Sequence, residues 1–197
     1  MKAIAMIDRN YGIGKDNELL IRDKRDMKIF KAYTTNKVVV MGRKTMESIG
    51  KPLLNRLNVV LTTDLSIPLK YKEGYIFVYS VNDLFNYLHQ HNIHTDDVIV
   101  IGGEKIYELL LPYCTELMIS KINRSFDANK FFPYISDYEF ELTGRRAISE
   151  DITLCKFSRR KGNINYSKPC CTTSISYIDG IQIQSQYCNF MHILINR

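Results

Sequence analysis

The 197-residue chain lacks the features that mark membrane-spanning, secreted and metal-binding proteins. No apolar run approaches the ~18 residues that a membrane-spanning helix needs. Residues 1–8 meet a charge too early to form the apolar core of a signal peptide. The five cysteines are odd in number and include no Cys-x-x-Cys pair, which indicates neither a disulfide framework nor a zinc site. We therefore expect a cytoplasmic protein with free thiols, no bound metal and no membrane partner.

The positive charges are not concentrated in any one segment. Lysines and arginines give a formal net charge of +6, yet no run of five or more of them occurs. A basic surface can bind nucleic acid, and it can also attract anionic small molecules. Because dispersed charge is usually a solvated surface, we expect no nucleic-acid partner. Three of the four histidines, His89, His91 and His94, crowd one polar stretch, which we interpret as a helix end and a loop.

Short runs rich in β-branched residues predict strands that are buried on both faces, as in a mostly parallel sheet. These runs are residues 3–7, 37–41, 58–61, 75–79 and 97–101. Three further runs, at 116–122, 139–143 and 152–157, follow without intervening helical patterns. The length suits one domain with a substantial core. The sequence therefore predicts an α/β fold with a central, mostly parallel sheet and an antiparallel C-terminal edge.

Helical patterns separate the first strands, so helices are expected on both faces of the sheet. Residues 24–34 and 43–49 carry apolar side chains at helical spacing. A third helix follows Asn82 or Asp83, either of which can serve as its N-cap. A fourth helix covers residues 104–111 and is expected to end at Pro112.

Residues 161–197 differ in composition, and we interpret them as a C-terminal extension that follows a domain of residues 1–160. Only four of them are charged, whereas Ser, Thr, Asn, Gln and Cys dominate. Residues 174–184 have the form of a β-hairpin, because Asp179-Gly180 supplies the positive φ angles that a two-residue turn requires. An isolated hairpin is marginal in water, so a poorly ordered extension is an equal alternative.

One acidic residue stands on an apolar helix face and is the first candidate for chemistry. Asp26 precedes Phe30 by one turn, and residues at positions i and i+4 share a helix face. A carboxylate among apolar side chains is unfavourable without a partner, which points to a function. The alternative is a first-turn charge that stabilises the helix dipole, and the neighbouring Lys24, Arg25 and Lys28 also fit an exposed face.

Two strand-to-helix junctions could hold phosphate. In residues 41–50, the N–H groups of a helix start combine with Arg43, Lys44 and the Thr45 hydroxyl, which suits a dinucleotide with a 2′-phosphate. At the second junction, Gly102-Gly103 let a ligand approach the backbone. Neither carries the Gly-x-Gly-x-x-Gly fingerprint, so the usual dinucleotide-binding fold is not indicated. An ordinary capped helix with surface bases, and a turn that needs glycine, are the alternatives.

Together these stretches closely resemble the dihydrofolate reductase family. Residues 41–53 (MGRKTMESIGKPL) resemble its central segment, and residues 101–107 (IGGEKIY) resemble its second cofactor segment. The first loop and helix and a late Phe-Pro pair are matched by Ile13-Gly14, Asn17, Asp26, Phe30 and Phe132-Pro133. The motifs keep the family's order and spacing over roughly residues 2–160.

The resemblance implies a dihydrofolate-reductase-like fold and an oxidoreductase that uses NADPH to reduce 7,8-dihydrofolate to 5,6,7,8-tetrahydrofolate. Such an enzyme supplies one-carbon carriers for thymidylate and purine synthesis, and it binds dihydrofolate and antifolate inhibitors. The resemblance implies nothing about residues 161–197; a monomer is expected, with association through the extension as the alternative. The competing functions are a related pteridine or pyrimidine reductase, and a reductase kept as a binding protein.

The resemblance also assigns catalytic and substrate-binding residues. Asp26 looks like the carboxylate that binds the pterin and delivers a proton through a water, and burial should raise its pKa. Ser120 matches a hydroxyl near it, and Ile21 stands where the family usually has a tryptophan that helps to hold this water. Arg56 matches the arginine that grips the glutamate α-carboxylate. The implied substrate-binding positions are Ala5, Asp26, Met27, Phe30, Ile49, Leu53, Arg56 and Ile101.

The cofactor-binding positions implied by the resemblance come from the first loop, both phosphate junctions and the segment after the third strand. They are Ala5, Ile13, Asn17, Gly42, Arg43, Lys44, Thr45, Ser48, Leu61, Thr62, Thr63, Ile101, Gly102, Gly103, Glu104, Lys105, Ile106 and Tyr107. Arg43, Lys44 and Thr63 near the 2′-phosphate favour NADPH over NADH. Two departures from the family pattern, Leu20-Ile21 and Ala128-Asn129, predict a looser loop beside the site.

Overall fold

The computed structural model describes residues 1–66 and 73–161, together with the backbone of two short strands at 176–178 and 181–183. Internal contacts divide the chain into two units, Met1–Ile164 and Asn165–Arg197. In chain order the elements of the first unit are β1 (Lys2–Ile7), β2 (Gly12–Lys15), β3 (Glu18–Leu19), α1 (Lys24–Thr34), β4 (Val38–Gly42), α2 (Arg43–Ile49), β5 (Leu57–Leu61), β6 (Tyr75–Val78), α3 (Val81–Gln90), β7 (Val98–Gly102), α4 (Glu104–Leu110), β8 (Glu116–Ile122), β9 (Lys130–Phe131), β10 (Phe140–Ala147) and β11 (Ile152–Arg159). Single 3₁₀ turns occupy Thr95–Asp97 and Leu111–Tyr113.

Eight of these strands form one sheet in the order β10-β11-β8-β1-β7-β4-β5-β6. The pairs from β8 to β6 are parallel, whereas β11 pairs antiparallel with both β8 and β10. The predicted α/β fold, with a mostly parallel sheet and an antiparallel C-terminal edge, is therefore confirmed. Because the carboxyl ends of neighbouring parallel strands meet at one edge of the sheet, ligands are expected there.

The central strands bury both of their faces, and the alternation of side chains divides the core in two. In β4, Val38 and Val40 belong to one apolar cluster and Val39 and Met41 to the other. The larger cluster takes in the apolar residues of α3 and α4, and the smaller one is covered by α1 and α2. Helices thus cover both faces, as the continuous β-branched runs predicted.

The helix boundaries follow from capping residues. α1 begins after Asp23, whose carboxylate accepts the backbone N–H groups of Arg25 and Asp26. α3 begins after Ser80, whose hydroxyl accepts the N–H of Asp83. The prediction of Asn82 or Asp83 as this cap was wrong, because the serine two or three residues earlier provides the oxygen at the correct position. α3 ends at Gln90, in agreement with the helix end predicted for the histidine-rich stretch.

A small three-stranded sheet, in the order β3-β2-β9, was not predicted. β2 and β3 form a hairpin in which Gly14 pairs with Leu19 and Lys15 with Glu18. The two residues between them, Asp16 and Asn17, both have positive φ, of 51° and 68°. That conformation is the one a two-residue hairpin turn needs. Strands of two to four residues carry too little periodicity to be read from the sequence.

In the second unit, β12 (Ser176–Ile178) pairs antiparallel with β13 (Ile181–Ile183). The predicted turn at Asp179-Gly180 lies outside the described residues. The domain boundary near residue 160 stays a prediction. None of the helices in the described ranges is long and apolar enough to cross a membrane.

Candidate active site

The packing of α1 against β8 places a carboxylate next to a buried hydroxyl. Ser120, which is 2% exposed, donates its hydroxyl hydrogen to Asp26 at an Oγ–Oδ1 distance of 2.5 Å. The sequence separation of 94 residues means that only the tertiary fold brings them together. Ser120 pairs with Met6 of β1 and Leu154 of β11, so the sheet holds it firmly. The two predicted residues therefore form a single unit.

The surroundings of Asp26 favour its neutral form. Burial raises the pKa of the Asp26 carboxyl, and the negative charge of Asp23 raises it further. The hydrogen bond from Ser120 stabilises the ionised form and opposes this shift, but the net direction is upward. A carboxyl with a raised pKa retains a proton closer to neutral pH, which suits it to deliver that proton to a ligand.

A second contact anchors the other end of α1 to the sheet. Tyr33 donates its hydroxyl hydrogen to Glu116 Oε1 over 2.6 Å, and Lys156 lies 2.7 Å from Glu116 Oε2. Burial alone would raise the pKa of Glu116, but the bonds from Lys156 and Tyr33 hold it below its ordinary value. Because Glu116 and Ser120 are four residues apart on β8, both point to the same face of the strand. The sequence did not reveal this contact. Together with the bond between Asp26 and Ser120, it fixes both ends of α1 to the sheet.

Apolar side chains pack together on the side of the sheet where Asp26 lies. Phe30, Ile49 and Leu53 are half-buried, and they pack against the cluster that contains Ile101. This arrangement brings α1, α2, the segment after α2 and the end of β7 together beside Asp26, and we refer to this region as the candidate cleft. Met27, also predicted to bind substrate, is 48% exposed at the surface of α1.

One predicted residue lies on the opposite face of its strand. Ala5 packs against the larger apolar cluster, whereas Ser120 points to the face that α1 covers. Only the backbone of Ala5 can therefore reach the cleft. Met6 is the residue of β1 that pairs directly with Ser120, and sequence reasoning missed it because the register of β1 against β8 was unknown.

Arg56 is held by two hydrogen bonds near the last residue of α1. Its Nε donates to the Leu54 carbonyl over 2.9 Å, and Nη1 donates to Thr34 Oγ1 over 3.0 Å. Partial burial lowers the pKa of the guanidinium, which still remains charged at neutral pH. An oriented guanidinium beside an apolar cleft is suited to bind a carboxylate with its remaining N–H groups.

The starts of α2 and α4 face each other at the carboxyl edge of the sheet. Their N-cap residues are Gly42 and Gly103, and neither helix has a side-chain cap. A Cβ on Gly103 would lie 3.3 Å from Thr45 Oγ1, and one on Gly42 would lie 2.9 Å from Ile106 Cγ1. Because neither glycine has a side chain, the N–H groups at the starts of α2 and α4 stay accessible. These groups follow neighbouring strands and form a cradle that fits the diphosphate of a dinucleotide.

The backbone before α4 is shaped by Gly102. Its φ is +114°, a conformation that L side chains rarely adopt, and a Cβ there would meet the Tyr107 ring at 3.0–3.2 Å. Tyr107 is buried, and its hydroxyl donates to the Ile4 carbonyl over 2.8 Å. Its ring lies against Phe132, with 4.6 Å between the ring centroids. Burial raises the pKa of Tyr107 far above its ordinary value, so this hydroxyl serves structure.

The predicted phosphate-binding bases do not stand alone. Arg43 Nη1 lies 2.5 Å from Glu47 Oε1, and Nε lies 3.5 Å from Asp64 Oδ2. Lys44 is exposed beside it on α2. Leu61 is buried at the end of β5, Thr62 accepts the N–H of Asp64 through its hydroxyl, and Thr63 is exposed. Sequence reasoning missed both carboxylates. Only folding brings Asp64 to Arg43, whereas Glu47 follows Arg43 by four residues and its contact could have been found from helix spacing.

The loop before α1 is tied to two other parts of the chain. The Asn17 carbonyl accepts the Ser48 hydroxyl over 2.7 Å, which links the loop to α2. Asn129 donates to Asp16 Oδ1 over 2.8 Å, and its Oδ1 accepts the Asp16 N–H over 3.2 Å. The Ala128-Asn129 departure therefore still supplies contacts to this loop. Ile21, half-buried, lies between β3 and α1.

Two carboxylates, Asp8 and Glu104, hold the segments on either side of this loop, which include β2 and β9. Asp8, almost fully buried, accepts the N–H groups of Gly12 and Phe126 over 2.7 and 2.8 Å. Glu104, predicted to bind the cofactor, accepts the N–H of Phe131 and a hydrogen bond from the Lys130 ammonium, at 2.9 and 3.0 Å. Of its helix neighbours, Lys105 is exposed and Ile106 is buried, while Ile13 of β2 packs on the larger cluster.

Comparison with known proteins identifies a family. The family model described as dihydrofolate reductase matches residues 1–159. The chain is 34% identical to a dihydrofolate reductase of Bacillus subtilis over 75% of its own length and 84% of the relative. It is 32% identical to dihydrofolate reductase type A13 of Escherichia coli, covering 81% and 94% of the two chains. A solved dihydrofolate reductase from Enterococcus faecalis, complexed with NADP(H) and RAB-propyl, superposes with a TM-score of 0.69 at 29% identity, covering 81% of this chain and 95% of that one.

Proposed function

The chain belongs to the dihydrofolate reductase family and reduces 7,8-dihydrofolate to 5,6,7,8-tetrahydrofolate with NADPH, and we propose that the cleft around Asp26 is where it does so. The observation that carries this proposal is the bond between Asp26 and the buried Ser120, beside the apolar cluster of Phe30, Ile49 and Leu53. A flat pterin ring system can be enclosed by the apolar side chains while the carboxyl engages its polar edge.

Asp26 is the group that handles the proton. The reaction adds a hydride to a pterin carbon and a proton to the neighbouring imine nitrogen, and bound NADPH supplies the hydride. Desolvation of Asp26 keeps a share of its carboxyl protonated where an exposed aspartate would be ionised. Ser120 holds Oδ1 of the carboxyl from the buried side, and we assign Oδ2 to the substrate. The proton then passes to the substrate directly or through one water.

The residues at the carboxyl edge of the sheet hold the cofactor. The uncapped starts of α2 and α4 present N–H groups to the diphosphate, since Gly42 and Gly103 leave the backbone bare. Arg43, Lys44 and Thr63 would bind the 2′-phosphate of the cofactor. Ser48 holds the tip of the loop at Asn17 over α2, so the loop can cover the nicotinamide end and exclude water.

Arg56 binds the glutamate carboxylate of the substrate, which lies far from the reacting atoms. Arg56→Leu should therefore raise KM for dihydrofolate by about 10- to 100-fold, with kcat changed less than threefold, as expected for loss of a charge-assisted bidentate contact. Steady-state kinetics with dihydrofolate and with a dihydropterin that lacks the glutamate provides the measurement. The variant should not affect turnover of the truncated substrate; an equal loss for both would assign Arg56 a purely structural role through Thr34.

The activity itself is tested on the full-length chain by the decrease in absorbance at 340 nm with NADPH and dihydrofolate. Turnover that methotrexate abolishes is the expected result, since we propose that antifolates compete for the same cleft. A folded protein that binds NADPH and methotrexate without turnover would contradict the proposed site chemistry and favour a binding protein. The cytoplasmic location and the monomeric state remain predictions.

The extension after residue 160 is proposed to be dispensable for catalysis. The family model ends at residue 159, and every residue that we place in the site precedes it. A chain that stops after residue 160 should therefore show kcat and KM within twofold of the full-length chain. Gel filtration of both chains at several concentrations tests association through the extension. A truncated chain that folds but loses turnover would contradict this proposal.

A further inference from the structure

Two carboxylates converge on the arginine that we assign to the 2′-phosphate of the cofactor. Glu47 follows Arg43 by one turn of α2, and Asp64 comes from the turn after β5. One contacts Nη1 and the other Nε, so they occupy different edges of the guanidinium. All three side chains are only about one-third exposed, which limits the screening of these contacts by solvent.

The two acids change the charge of the proposed phosphate site. Arg43 and Lys44 bring two positive charges, and Glu47 and Asp64 bring two negative charges, so the four groups sum to zero. From the sequence alone this junction was expected to be basic. A dianionic phosphate that binds here must either displace the two carboxylates from Arg43 or share the guanidinium with them. The carboxylates also repel the phosphate.

We propose that Asp64 is a specificity-determining residue that weakens the preference of this enzyme for NADPH over NADH. The inference rests on the proposed function, in particular on the assignment of Arg43 to the 2′-phosphate. Asp64 competes with the phosphate for the guanidinium and repels it. NADH lacks this phosphate, so its binding is not affected by the competition.

The geometry of the turn favours Asp64 over Glu47 as the controlling group. Asp64 Oδ1 accepts both the N–H and the hydroxyl of Ser66, at 2.9 and 2.6 Å, which orients Oδ2 toward Arg43. These bonds lower the pKa of Asp64, so it is ionised at neutral pH. The amide oxygen of an asparagine can accept the same two bonds. Asp64→Asn thus removes the charge and preserves the turn.

Binding of nucleotide fragments tests the inference without relying on turnover. Adenosine 2′,5′-bisphosphate carries the 2′-phosphate, and adenosine 5′-monophosphate does not. By calorimetry in low salt, Asp64→Asn should bind the bisphosphate roughly three- to tenfold more tightly, the size expected for one charge at a partly exposed site. Binding of the monophosphate should stay within twofold. The gain should shrink in 0.5 M salt, since screening weakens the repulsion in the wild type.

Glu150→Gln is the matched control, because it removes one negative charge without touching the site. Glu150 lies between β10 and β11, and β5 is five strand positions from β11, each about 4.8 Å wide. At that distance the charge is screened, so bisphosphate binding should not change. In turnover assays the ratio of KM for NADH to KM for NADPH should rise three- to tenfold in Asp64→Asn alone.

Unchanged or weaker bisphosphate binding by Asp64→Asn would overturn the inference, because Asp64 would then orient Arg43 for the phosphate instead of competing with it. Failure of every variant and the wild type to distinguish the two nucleotides would overturn the position of the phosphate site. An absence of NADPH oxidation by the wild type would be a separate result, since it contradicts the proposed function and leaves the fragment-binding comparison valid.

Discussion

Asp26→Asn should lower kcat/KM for dihydrofolate at neutral pH by about 10²- to 10⁴-fold, the range for loss of a positioned general acid. The asparagine amide keeps the shape of the carboxyl, and its oxygen can still accept the Ser120 hydroxyl. What it loses is the acidic proton. The measurement is NADPH oxidation under steady-state conditions, with NADPH affinity determined separately to show that the cofactor site is intact.

The pH profile separates loss of the proton donor from a structural defect. In the wild type the activity should fall as pH rises through the pKa of Asp26, which burial holds above its ordinary value, because the protonated form is then lost. In Asp26→Asn the solvent must protonate the substrate, so the residual rate should increase toward acidic pH. The ratio of wild-type to variant rate is therefore largest away from acidic pH. A variant with the wild-type profile at reduced amplitude would contradict a proton-delivery role for Asp26.

The same substitution should leave the fold at least as stable near neutral pH. The pKa of Asp26 is raised in the folded state from a reference value of 3.8, so the folded state binds the proton more tightly than the unfolded chain does. Ionisation of this group therefore reduces stability as pH rises from the unfolded pKa through the folded one. The amide side chain of the variant carries no charge and escapes this loss. Thermal unfolding below pH 3.8 and at pH 8 should show that the variant has no advantage below the unfolded pKa and is the more stable protein at the higher pH.

Strong local signals account for the elements that the sequence predicted well. The bounds of α1 and α2 agree with the predicted 24–34 and 43–49 because apolar periodicity, Gly42 and Gly50 mark them clearly. Five of the six parallel strands, β1, β4, β5, β6 and β7, were predicted as such because strands buried on both faces are continuous apolar runs. β10 was predicted to end at residue 143 but extends to Ala147, since an exposed edge strand carries little apolar pattern.

What the sequence missed depends on contacts between distant residues. The joining of Asp26 to Ser120 was anticipated only through resemblance, and no local pattern predicts the 2.5 Å bond. The Glu116 anchor of Tyr33 and the Asp64 contact with Arg43 join separate elements through polar side chains, which periodicity cannot reveal. Such contacts set the charge and rigidity of a site. The class of function was therefore easier to predict from the sequence than the charge and rigidity of the site.

Gly102→Ala should both destabilise the fold and disrupt cofactor binding. Two independent effects act at this position: a φ of +114° that alanine disfavours, and a Cβ that would lie 3.0–3.2 Å from the Tyr107 ring. Tyr107 cannot yield easily, because it is buried against Phe132 and bonded to the Ile4 carbonyl. We expect a loss of about 2–4 kcal/mol in the free energy of unfolding, from backbone strain plus overpacking.

The cofactor effect follows because Gly102 leads directly into the start of α4. A backbone shift there displaces the N–H groups that Gly103 leaves uncapped, so Kd for NADPH should rise at least about tenfold, as expected when two or more charge-assisted bonds are misaligned. Urea unfolding gives the stability, and calorimetric titration of folded protein gives Kd. Gly144→Ala is the control, since a Cβ there would meet Lys156 Cβ at an ordinary 3.7 Å and no φ strain is present.

A double variant distinguishes the two causes of the Gly102→Ala effect. Tyr107→Leu removes the ring edge that the new Cβ would meet but leaves the backbone at residue 102 unchanged. If overpacking dominates, adding Gly102→Ala to Tyr107→Leu should reduce stability by much less than it does in the wild type. If φ strain dominates, the reduction should be the same in both backgrounds. Equal stability of Gly102→Ala and wild type would contradict the described backbone at the start of α4, and with it the cradle that holds the cofactor.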